Sequence, residues 1–187
     1  MRIVLWASLL LFFSISLWCQ EVTGGTREIE FFAQGGHSVS GGRGETTIFN
    51  GGVRYGFGLF DLGEGSFQYE LEAIPIYIVA QPGSNAYGIS FTPFDVKYNF
   101  SRDASQVIPF AELGGGILFA NNDVPSATNK VNFTPQLGVG VHVPFGSGDY
   151  HATFALKYVH ISNAGLSVPN PGINTIQLRF GIGKFNE

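Results

Sequence analysis

Beyond its first 20 residues, the chain alternates between apolar and polar positions in one segment after another. A period of two predicts β-strands whose two faces meet different surroundings. In the last segment, for example, Ile176, Leu178 and Phe180 alternate with Gln177 and Arg179. We predict eight strands on this basis: Arg27 to Gly35, Thr47 to Phe60, Ser66 to Ala80, Tyr87 to Phe100, Val107 to Ala120, Asn132 to Val143, Asp149 to Ile161 and Thr175 to Phe185.

The length of these strands and the character of their polar faces point to a membrane barrel. Most are on the order of 10 residues or more, the span that a tilted membrane strand needs, whereas strands of globular proteins average about 5 to 6. The polar faces are rich in glycine and sparsely charged, as in the filled interior of a small closed barrel. A change of phase at Pro93 predicts a β-bulge. We therefore predict an all-β fold, an eight-stranded antiparallel transmembrane β-barrel, with a soluble β-sandwich as the alternative.

Composition supports the barrel and excludes some functions. Charged residues make up only 13% of the chain, which nevertheless contains 18 Phe and 26 Gly. After the first 20 residues, no apolar run is long enough for a transmembrane helix. A formal net charge of -4 argues against nucleic acid as a partner. The charged residues of the polar faces are expected to pair inside the barrel: Glu28, Glu30, Arg54, Glu70, Glu72, Lys157 and Arg179.

The N-terminus is typical of a secretory signal peptide. Arg2 supplies a positive charge, Ile3 to Leu17 is almost entirely apolar, and polar residues follow at once. We assign residues 1–20 to the signal peptide and residues 21–187 to one barrel domain. The mature chain then lacks cysteine, so disulfides and thiol chemistry are excluded.

An even number of strands brings both termini to the same end of the barrel, by convention the periplasmic end. The connections after strands one, three, five and seven then lie outside, and they include the long stretches Gly36 to Glu45, Asn121 to Lys130 and Ser162 to Asn174. The connections after strands two, four and six are expected to be tight, as at Gly146 to Gly148. The loop after strand seven therefore lies at the outer-leaflet end.

Candidate chemistry occurs where strand seven ends. His160 and Ser162 are two residues apart, so their side chains share one face, the apolar face that is expected to meet lipid. A serine beside a histidine offers a nucleophile and its base. The pattern His-x-Ser also arises often by chance, and both residues are acceptable as ordinary interface residues at a strand end.

The surrounding residues favour the catalytic interpretation. The segment His-Ile-Ser-Asn-Ala-Gly-Leu at 160–166, followed by Pro-Asn-Pro-Gly at 169–172, resembles the signature of the lipid A 3-O-deacylase (PagL) family. There the motif runs His-x-Ser-Asn, a short spacer, then Asn-x-Gly-x-Glu. The resemblance implies an eight-stranded outer-membrane barrel with its active site on the outer wall. It also implies hydrolysis of the ester that holds a 3-hydroxyacyl chain at position 3 of lipid A, the lipid of lipopolysaccharide, without a cofactor or metal.

Transferred residue by residue, the resemblance makes Ser162 the nucleophile and His160 the general base. Asn163 and Asn170 match two family asparagines, and Asn170 is the better candidate for an oxyanion donor. Gly165 and Gly172 are candidates for letting backbone amides approach the same point.

The sequence departs from the family at Asn174, where the motif has glutamate. A carboxylate there would orient the histidine and stabilise its imidazolium form, whereas an asparagine oxygen can accept the Nδ1 proton but brings no charge. Asn174 is thus compatible with a slower enzyme, an Asn-type triad or a degenerate site. Asp149 and Glu112 are candidate substitutes by residue type alone.

Two other functions stay open. One is a non-catalytic structural or adhesive outer-membrane barrel. The other is a related lipid chemistry, either removal of a secondary acyloxyacyl chain or hydrolysis of outer-membrane phospholipids. A homodimer is also left open. Of the other histidines, His142 and His151 are expected inside the barrel and His37 in the first outer loop.

Overall fold

All eight predicted strands form, and each is long. The computed structural model describes residues 21–146 and 149–186. The predicted signal peptide, and two residues of the turn predicted at Gly146 to Gly148, lie outside these ranges. The strands are β1 (Arg27–Gly41), β2 (Thr47–Leu62), β3 (Gly65–Ala80), β4 (Ala86–Asn99), β5 (Ile108–Ala120), β6 (Val131–Phe145), β7 (Tyr150–Ile161) and β8 (Ile173–Asn186).

The strands close into one barrel. Each strand pairs antiparallel with its sequence neighbours, and β1 also pairs with β8, so the sheet has no free edge. The predicted eight-stranded antiparallel barrel is confirmed. The register between β4 and β5 shifts between Phe91 and Phe94, which confirms the bulge predicted at Pro93.

The outer surface of the barrel is apolar. Large hydrophobic side chains on every strand are exposed, among them Phe31, Leu137 and Leu178, and Leu178 is 69% exposed. Such a continuous apolar belt is the surface that a membrane-spanning barrel presents to lipid. Among the described residues, none belongs to a helix long and apolar enough to cross a membrane.

The interior is filled in three layers. The middle layer consists of buried ion pairs: Arg54 lies 2.8 Å from Glu72 and 2.8 Å from Glu112, and Lys97 lies 2.7 Å from Glu70. These contacts confirm the predicted pairing inside the barrel. An apolar cluster closes each end, one around Ile48 and Leu118 at the loop end and one around Val22 and Phe185 at the end of the termini. The filled interior leaves the outer wall and the loops as the surfaces available for chemistry.

The buried ion pairs predict a large stability effect at Arg54. Arg54→Ala removes the buried cation that the Glu72 and Glu112 carboxylates share, each at 2.8 Å, and loss of one partner of a buried ion pair typically costs about 3–5 kcal/mol. The free energy of unfolding, measured by urea titration in lipid vesicles, is expected to fall by that amount. Arg27→Ala is the control because Arg27 is exposed on the same face of the sheet as the lipid belt. Equal unfolding midpoints for the two variants would contradict the assignment of Arg54 to the centre of the network.

The predicted end of the first strand was wrong. The first outer loop was expected to begin at Gly36 and to contain His37, but β1 continues to Gly41 and pairs with both neighbours through His37. The reason is close backbone approach: a Cβ on Gly36 would lie 1.9 Å from the Ile176 carbonyl oxygen. Glycine at position 36 favours a loop when judged from the sequence alone. In the structure, its lack of a side chain allows β1 and β8 to approach each other.

The turn after β4 was also predicted to be tight, and it spans residues 100–107. This longer turn holds the first residues that the structure describes, since the Val22 amide donates to the Arg102 carbonyl (2.8 Å) and Glu21 forms a β-bridge with Asp103. Ala104 packs with Val22 in the apolar cluster at this end. The extra residues therefore close the barrel at the end of the termini.

The apolar cluster at the loop end sets the orientation of the neighbouring outward residues. Val159, Ile161 and Ile173 are buried in it. Because side chains alternate along a strand, His160 and Asn174 must then point outward, toward lipid.

Candidate active site on the outer wall

His160 and Asn174 form a cross-strand pair at the loop end of the barrel. The β7–β8 register sets them directly opposite each other, and His160 Nδ1 lies 2.6 Å from Asn174 Oδ1. Asn174 was predicted in the loop after strand seven, but it belongs to β8, which begins at Ile173. The contact that the sequence left undecided is therefore made by regular strand pairing.

Asn174 is held from both sides. The Tyr158 hydroxyl on β7 donates to Asn174 Oδ1 (2.6 Å), and Asn174 Nδ2 donates to Ser40 Oγ on β1 (2.8 Å). With its oxygen facing the ring, Asn174 accepts the proton of His160 Nδ1. In the neutral ring, Nε2 is then unprotonated and able to accept a proton.

Ser162 follows β7 directly and stays attached to the sheet. Its amide donates to the Phe133 carbonyl (3.1 Å), and its carbonyl accepts from the Phe133 amide (2.7 Å). The sequence predicted an outward, lipid-facing serine, yet Ser162 is only 8% exposed because this bridge extends the sheet by one residue. Within residues 21–146 and 149–186, no hydrogen bond joins Ser162 to His160. In structures without substrate, catalytic hydrogen bonds are often long and tighten in the complex.

Asn163 builds the turn that follows Ser162. Its carbonyl accepts from the Leu166 amide (3.0 Å) and its Oδ1 accepts from the Gly165 amide (2.9 Å). Its Nδ2 donates to Ser167 Oγ (2.9 Å). Ala164 and Gly165 both have positive φ, 52° and 79°. The side chain of Asn163, completely buried, is thus occupied in shaping the loop.

The Asn170 side chain is tied to the backbone of the residue that follows Ser162. Its Oδ1 accepts from the backbone amide of Asn163, the residue after Ser162 (3.2 Å). A backbone N–H can only donate, so this contact fixes which end of the Asn170 amide is the oxygen. Nδ2 is left without a partner among the described residues, on an exposed side chain, and is available to donate.

Gly172 packs against the imidazole ring. Its φ is +61°, and a Cβ there would lie 2.7 Å from His160 Cε1 and 3.3 Å from Nε2. Its carbonyl accepts from the Gly42 amide (2.5 Å), which ties the loop to the end of β1. Gly165, in contrast, has open space where a side chain would be.

Apolar grooves lie on both sides of this cluster on the outer wall. One, of about 270 Å³, contains His160 itself and is lined by Leu113, Pro135, Gln136, Leu137 and Tyr158. The other, of about 490 Å³, runs along β1, β7 and β8 and is lined by Gly35, Gly36, His37, Val39, Leu156, Ile176 and Leu178. Both grooves suit extended hydrocarbon chains.

Sequence analysis did not identify two hydrogen-bond partners of Asn174, and it offered two candidate acids for His160 that lie elsewhere in the barrel. Ser40 was not identified, and Tyr158 was read only as part of the apolar face. Glu112 is buried inside the barrel against Arg54, so it cannot serve His160. Asp149 precedes β7 and lies at the opposite end of the barrel from His160, which is near the end of that strand.

The remaining histidines lie apart from this cluster. His142 and His151 are buried in the interior, as predicted. His37 belongs to β1, where its Nδ1 contacts the Thr47 hydroxyl (3.0 Å).

In the part of the chain that the structure describes, two buried groups bring together atoms that could bind a metal: Glu28, Glu30, His142 and His151, and separately Glu70, Asp95 and Glu112. Lysine ammonium groups already lie in both, with Lys97 Nζ 2.6 Å from Glu28 and Lys157 Nζ 2.6 Å from Glu112. Both groups belong to the interior network rather than to the outer wall.

Comparison with known proteins identifies a family and a relative that match large parts of this chain. The family described as Lipid A 3-O-deacylase (PagL) matches residues 49–183. Lipid A deacylase PagL of Pseudomonas aeruginosa is 32% identical over 103 residues, which are 54% of this chain and 55% of that protein. The chain thus matches about half the length of this relative.

Solved structures agree on the fold. The outer membrane enzyme PagL superposes with a TM-score of 0.65 at 22% identity, over 81% of this chain and 97% of that chain. Neisserial surface protein A gives a TM-score of 0.60 at 15% identity, over 88% and 99%. Since the family match covers most of the chain, including His160, Ser162 and Asn174, this chain belongs to the lipid A 3-O-deacylase (PagL) family and is a β-barrel of the outer membrane.

Proposed function

We propose that this protein is a serine esterase that removes the 3-O-linked hydroxyacyl chain from lipid A in the outer leaflet. One observation carries the proposal: on the lipid-facing wall, the imidazole of His160 is held at Nδ1 by an amide oxygen at 2.6 Å, and a serine follows two residues later in the chain. Membership of the deacylase family supports the substrate class and the ester chemistry.

In the proposed mechanism, Asn174 holds the neutral ring with its proton on Nδ1. His160 Nε2 takes the proton of Ser162 Oγ as that oxygen attacks the ester carbonyl. The tetrahedral intermediate collapses to an acyl-enzyme and releases the 3-O-deacylated glycolipid, whose oxygen receives the proton from Nε2. Water activated by His160 then hydrolyses the acyl-enzyme, frees the fatty acid and restores Ser162.

The oxyanion of the intermediate needs fixed donors. We assign Asn170 Nδ2 to this role because its oxygen is tied to the Asn163 amide and its NH₂ is free to donate. Asn163 contributes by shaping the loop, since its own side chain is already bonded within it. Gly165, with positive φ and open space above it, lets substrate approach the backbone here.

The substrate is expected to lie on the outer wall with its acyl chains in the two grooves. Tyr158, Leu156, Ile176 and Leu178 line this surface. Burial of each methylene contributes about 0.8 kcal/mol, but a membrane protein exchanges one lipid chain for another, so the grooves orient the chains more than they bind them. The chemistry requires no cofactor.

The test is mass spectrometry of lipid A from cells that express the native protein or Ser162→Ala. Loss of one 3-hydroxyacyl chain with the native protein alone is the expected result. The heat-dependent gel mobility of folded barrels confirms that both proteins are folded. Unchanged lipid A with a folded native barrel contradicts the proposal and favours a structural or adhesive role. Release of a non-hydroxylated acid would instead indicate an acyloxyacyl or phospholipid substrate.

Asn174→Asp is expected to raise turnover by about tenfold. The isosteric carboxylate keeps the Nδ1 contact and adds the charge that stabilises the imidazolium in the transition state. The gain is smaller than the roughly 10⁴-fold effect of the amide substitution in serine proteases, part of which comes from the wrong tautomer. Initial rates on purified lipid A in detergent micelles provide the measurement. An unchanged or lower rate would show that charge at this position does not limit the reaction.

A further inference from the structure

We propose that the groove along β1 and β8 binds a second hydroxyacyl chain of the lipid substrate, one that is retained, and that His37 recognises the hydroxyl group of that chain. The inference rests on the proposed function. It gives a role in specificity to a residue that precedes residues 49–183, the part of the protein that the family matches. It follows from the position of the groove, from the contacts of His37 and from the chemistry of the substrate.

The two sides of His160 differ. Ser162 bridges to Phe133 on β6, so the ester that it would attack lies on the β6 side of the imidazole. Asn174 on β8 contacts the ring from the opposite side. The groove that contains His160 is therefore the one beside the nucleophile, and it suits the acyl chain that is removed. The groove along β1 and β8 lies beyond Asn174 and is left for another chain.

This second groove is long enough for an acyl chain. Its part near the loops, about 490 Å³, shares Gly35, Leu156 and Leu178 with a further part of about 520 Å³, so the two parts are continuous. Gly35 and Ala33 keep the groove open along β1, because neither has a large side chain. From His37 to Ala33 the strand spans about 13 Å.

His37 lines the part near the loops, where the other lining residues are glycine or aliphatic. The ring is exposed, and its Nδ1 contacts the Thr47 hydroxyl on β2 (3.0 Å). Its Nε2 has no hydrogen-bond partner within residues 21–146 and 149–186. An ionisable side chain on a lipid-facing wall costs free energy, and such residues commonly mark a binding site. One nitrogen of His37 thus fixes the ring, and the other is available to a ligand.

His37 lies close to the catalytic residues. It pairs with Ile176, which pairs with Tyr158, and the neighbouring outward row toward the loops contains Asn174 and His160. With about 4.8 Å between strands and about 3.4 Å per residue, the backbones of His37 and His160 are roughly 12 Å apart. Acyl chains on neighbouring sugar carbons begin only a few bonds apart. A hydroxyl near the start of the retained chain can therefore reach His37 while the scissile ester lies beside His160.

A hydroxyl group suits His37 in either tautomer. The Thr47 hydroxyl can donate to Nδ1 or accept from it, so this contact is compatible with both. A ligand hydroxyl can likewise accept from a protonated Nε2 or donate to an unprotonated one, whereas an ester or amide carbonyl can only accept. A phosphate would need several donors or cations, which glycine and aliphatic residues do not supply. Lipid A carries 3-hydroxyacyl chains besides the one that is removed, and these have the required hydroxyl.

The first experiment compares two diacylated glucosamine substrates that differ only in the hydroxyl of the retained chain. The native protein is expected to prefer the hydroxylated substrate by about fivefold in kcat/KM, the usual effect of one hydrogen bond. His37→Phe keeps an aromatic ring on the lipid-facing wall and is expected to lose this preference. Tyr55→Phe is the matched control, since it removes a hydroxyl from the exposed face of β2 away from the groove residues. Hydrolysis of both substrates at equal rates by the native protein, or an undiminished preference in His37→Phe, would overturn the proposal.

A second variant tests the groove apart from the histidine. Ala33→Leu adds a larger side chain to the part of the groove farther from the loops, where it would meet the end of a long chain. The rate is expected to fall by about tenfold for a substrate with a long retained chain relative to one with a short retained chain. Ala73→Leu makes the same change on the exposed face of β3 and is the control. An equal effect of Ala33→Leu on both chain lengths would contradict binding of the retained chain in this groove.

A spectroscopic measurement separates binding from hydrolysis. In Ser162→Ala, the ¹⁵N shifts of the His37 ring in micelles are expected to change when the hydroxylated substrate is added, and not with the other substrate. The spectrum of His37→Phe identifies the His37 signals, and the His160 ring shifts report that the site is occupied. Unchanged His37 shifts would overturn the inference.

Two further outcomes of this measurement are distinct. A free 3-hydroxy fatty acid, added with the non-hydroxylated substrate, is expected to leave the His37 shifts unchanged. The full change under these conditions would assign the groove to a separate lipid molecule and overturn the proposal. A change caused by the hydroxylated substrate, without any hydrolysis by the native protein, would leave the role of His37 intact and refute the proposed function alone.

Discussion

Ser162→Ala is expected to lower the rate of lipid A deacylation by at least about 10⁴-fold, because the variant has no nucleophile to form the acyl-enzyme. His160→Ala is expected to cause a comparable loss, since the serine hydroxyl is then without its base. Residues that act as one unit are strongly non-additive. The double variant should therefore be no slower than the slower single variant.

The measurement is single-turnover hydrolysis of purified lipid A by protein in micelles. Ser126→Ala is the control, because that serine lies in the loop between β5 and β6 and bonds the Pro82 carbonyl instead. Additive losses for the Ser162 and His160 variants would indicate that the two residues act in separate steps. Retained hydrolysis in Ser162→Ala would assign the nucleophile to another residue.

Gly172→Ala is expected to lower the rate by about 10²-fold. The new methyl group would lie 2.7 Å from His160 Cε1, so the imidazole must move away from its present position beside Asn174. A displacement of about 1 Å at a catalytic group is enough for a loss of this size. Initial rates, together with the His160 ring shifts, measure the effect.

Gly63→Ala is the control for the effect of backbone strain alone. Gly63 has nearly the same φ, +59° against +61°, with nothing within 4 Å of the added methyl group. Both variants lose about 1–2 kcal/mol of stability from the left-handed backbone, and only Gly172→Ala should lose activity. Equal rates for the two would show that the ring tolerates the contact.

Most of the fold could be predicted from the alternation of apolar and polar residues. Each predicted strand exists. One face of every strand meets lipid and the other meets a packed polar interior, so apolar and polar residues alternate along the strand. The end of β1 could not be predicted, since glycine at position 36 does not favour a strand by itself. The need for glycine there is evident only from the β8 backbone, which lies against it.

The family motif could be predicted for a different reason: its members are close in the chain. His160 to Gly172 is one strand end and one loop, so the local order of residue types already resembles the family. The roles of the individual residues in the motif were harder to predict from the sequence. The orientation of the Asn170 amide depends on which group contacts its oxygen, and that group, the Asn163 amide, is defined only in the folded loop.

The sequence by itself determined the eight strands, the lipid-facing surface and the presence of a serine, a histidine and an asparagine in the order of the family motif. These are local properties, set by periodicity and by neighbours in the chain. Only the tertiary structure decided that Asn174 faces His160 and that Ser40 holds Asn174 from the far side. Both contacts depend on the register of strands that are distant in sequence, and in β1 on a bulge that moves Ser40 to the other face of the sheet.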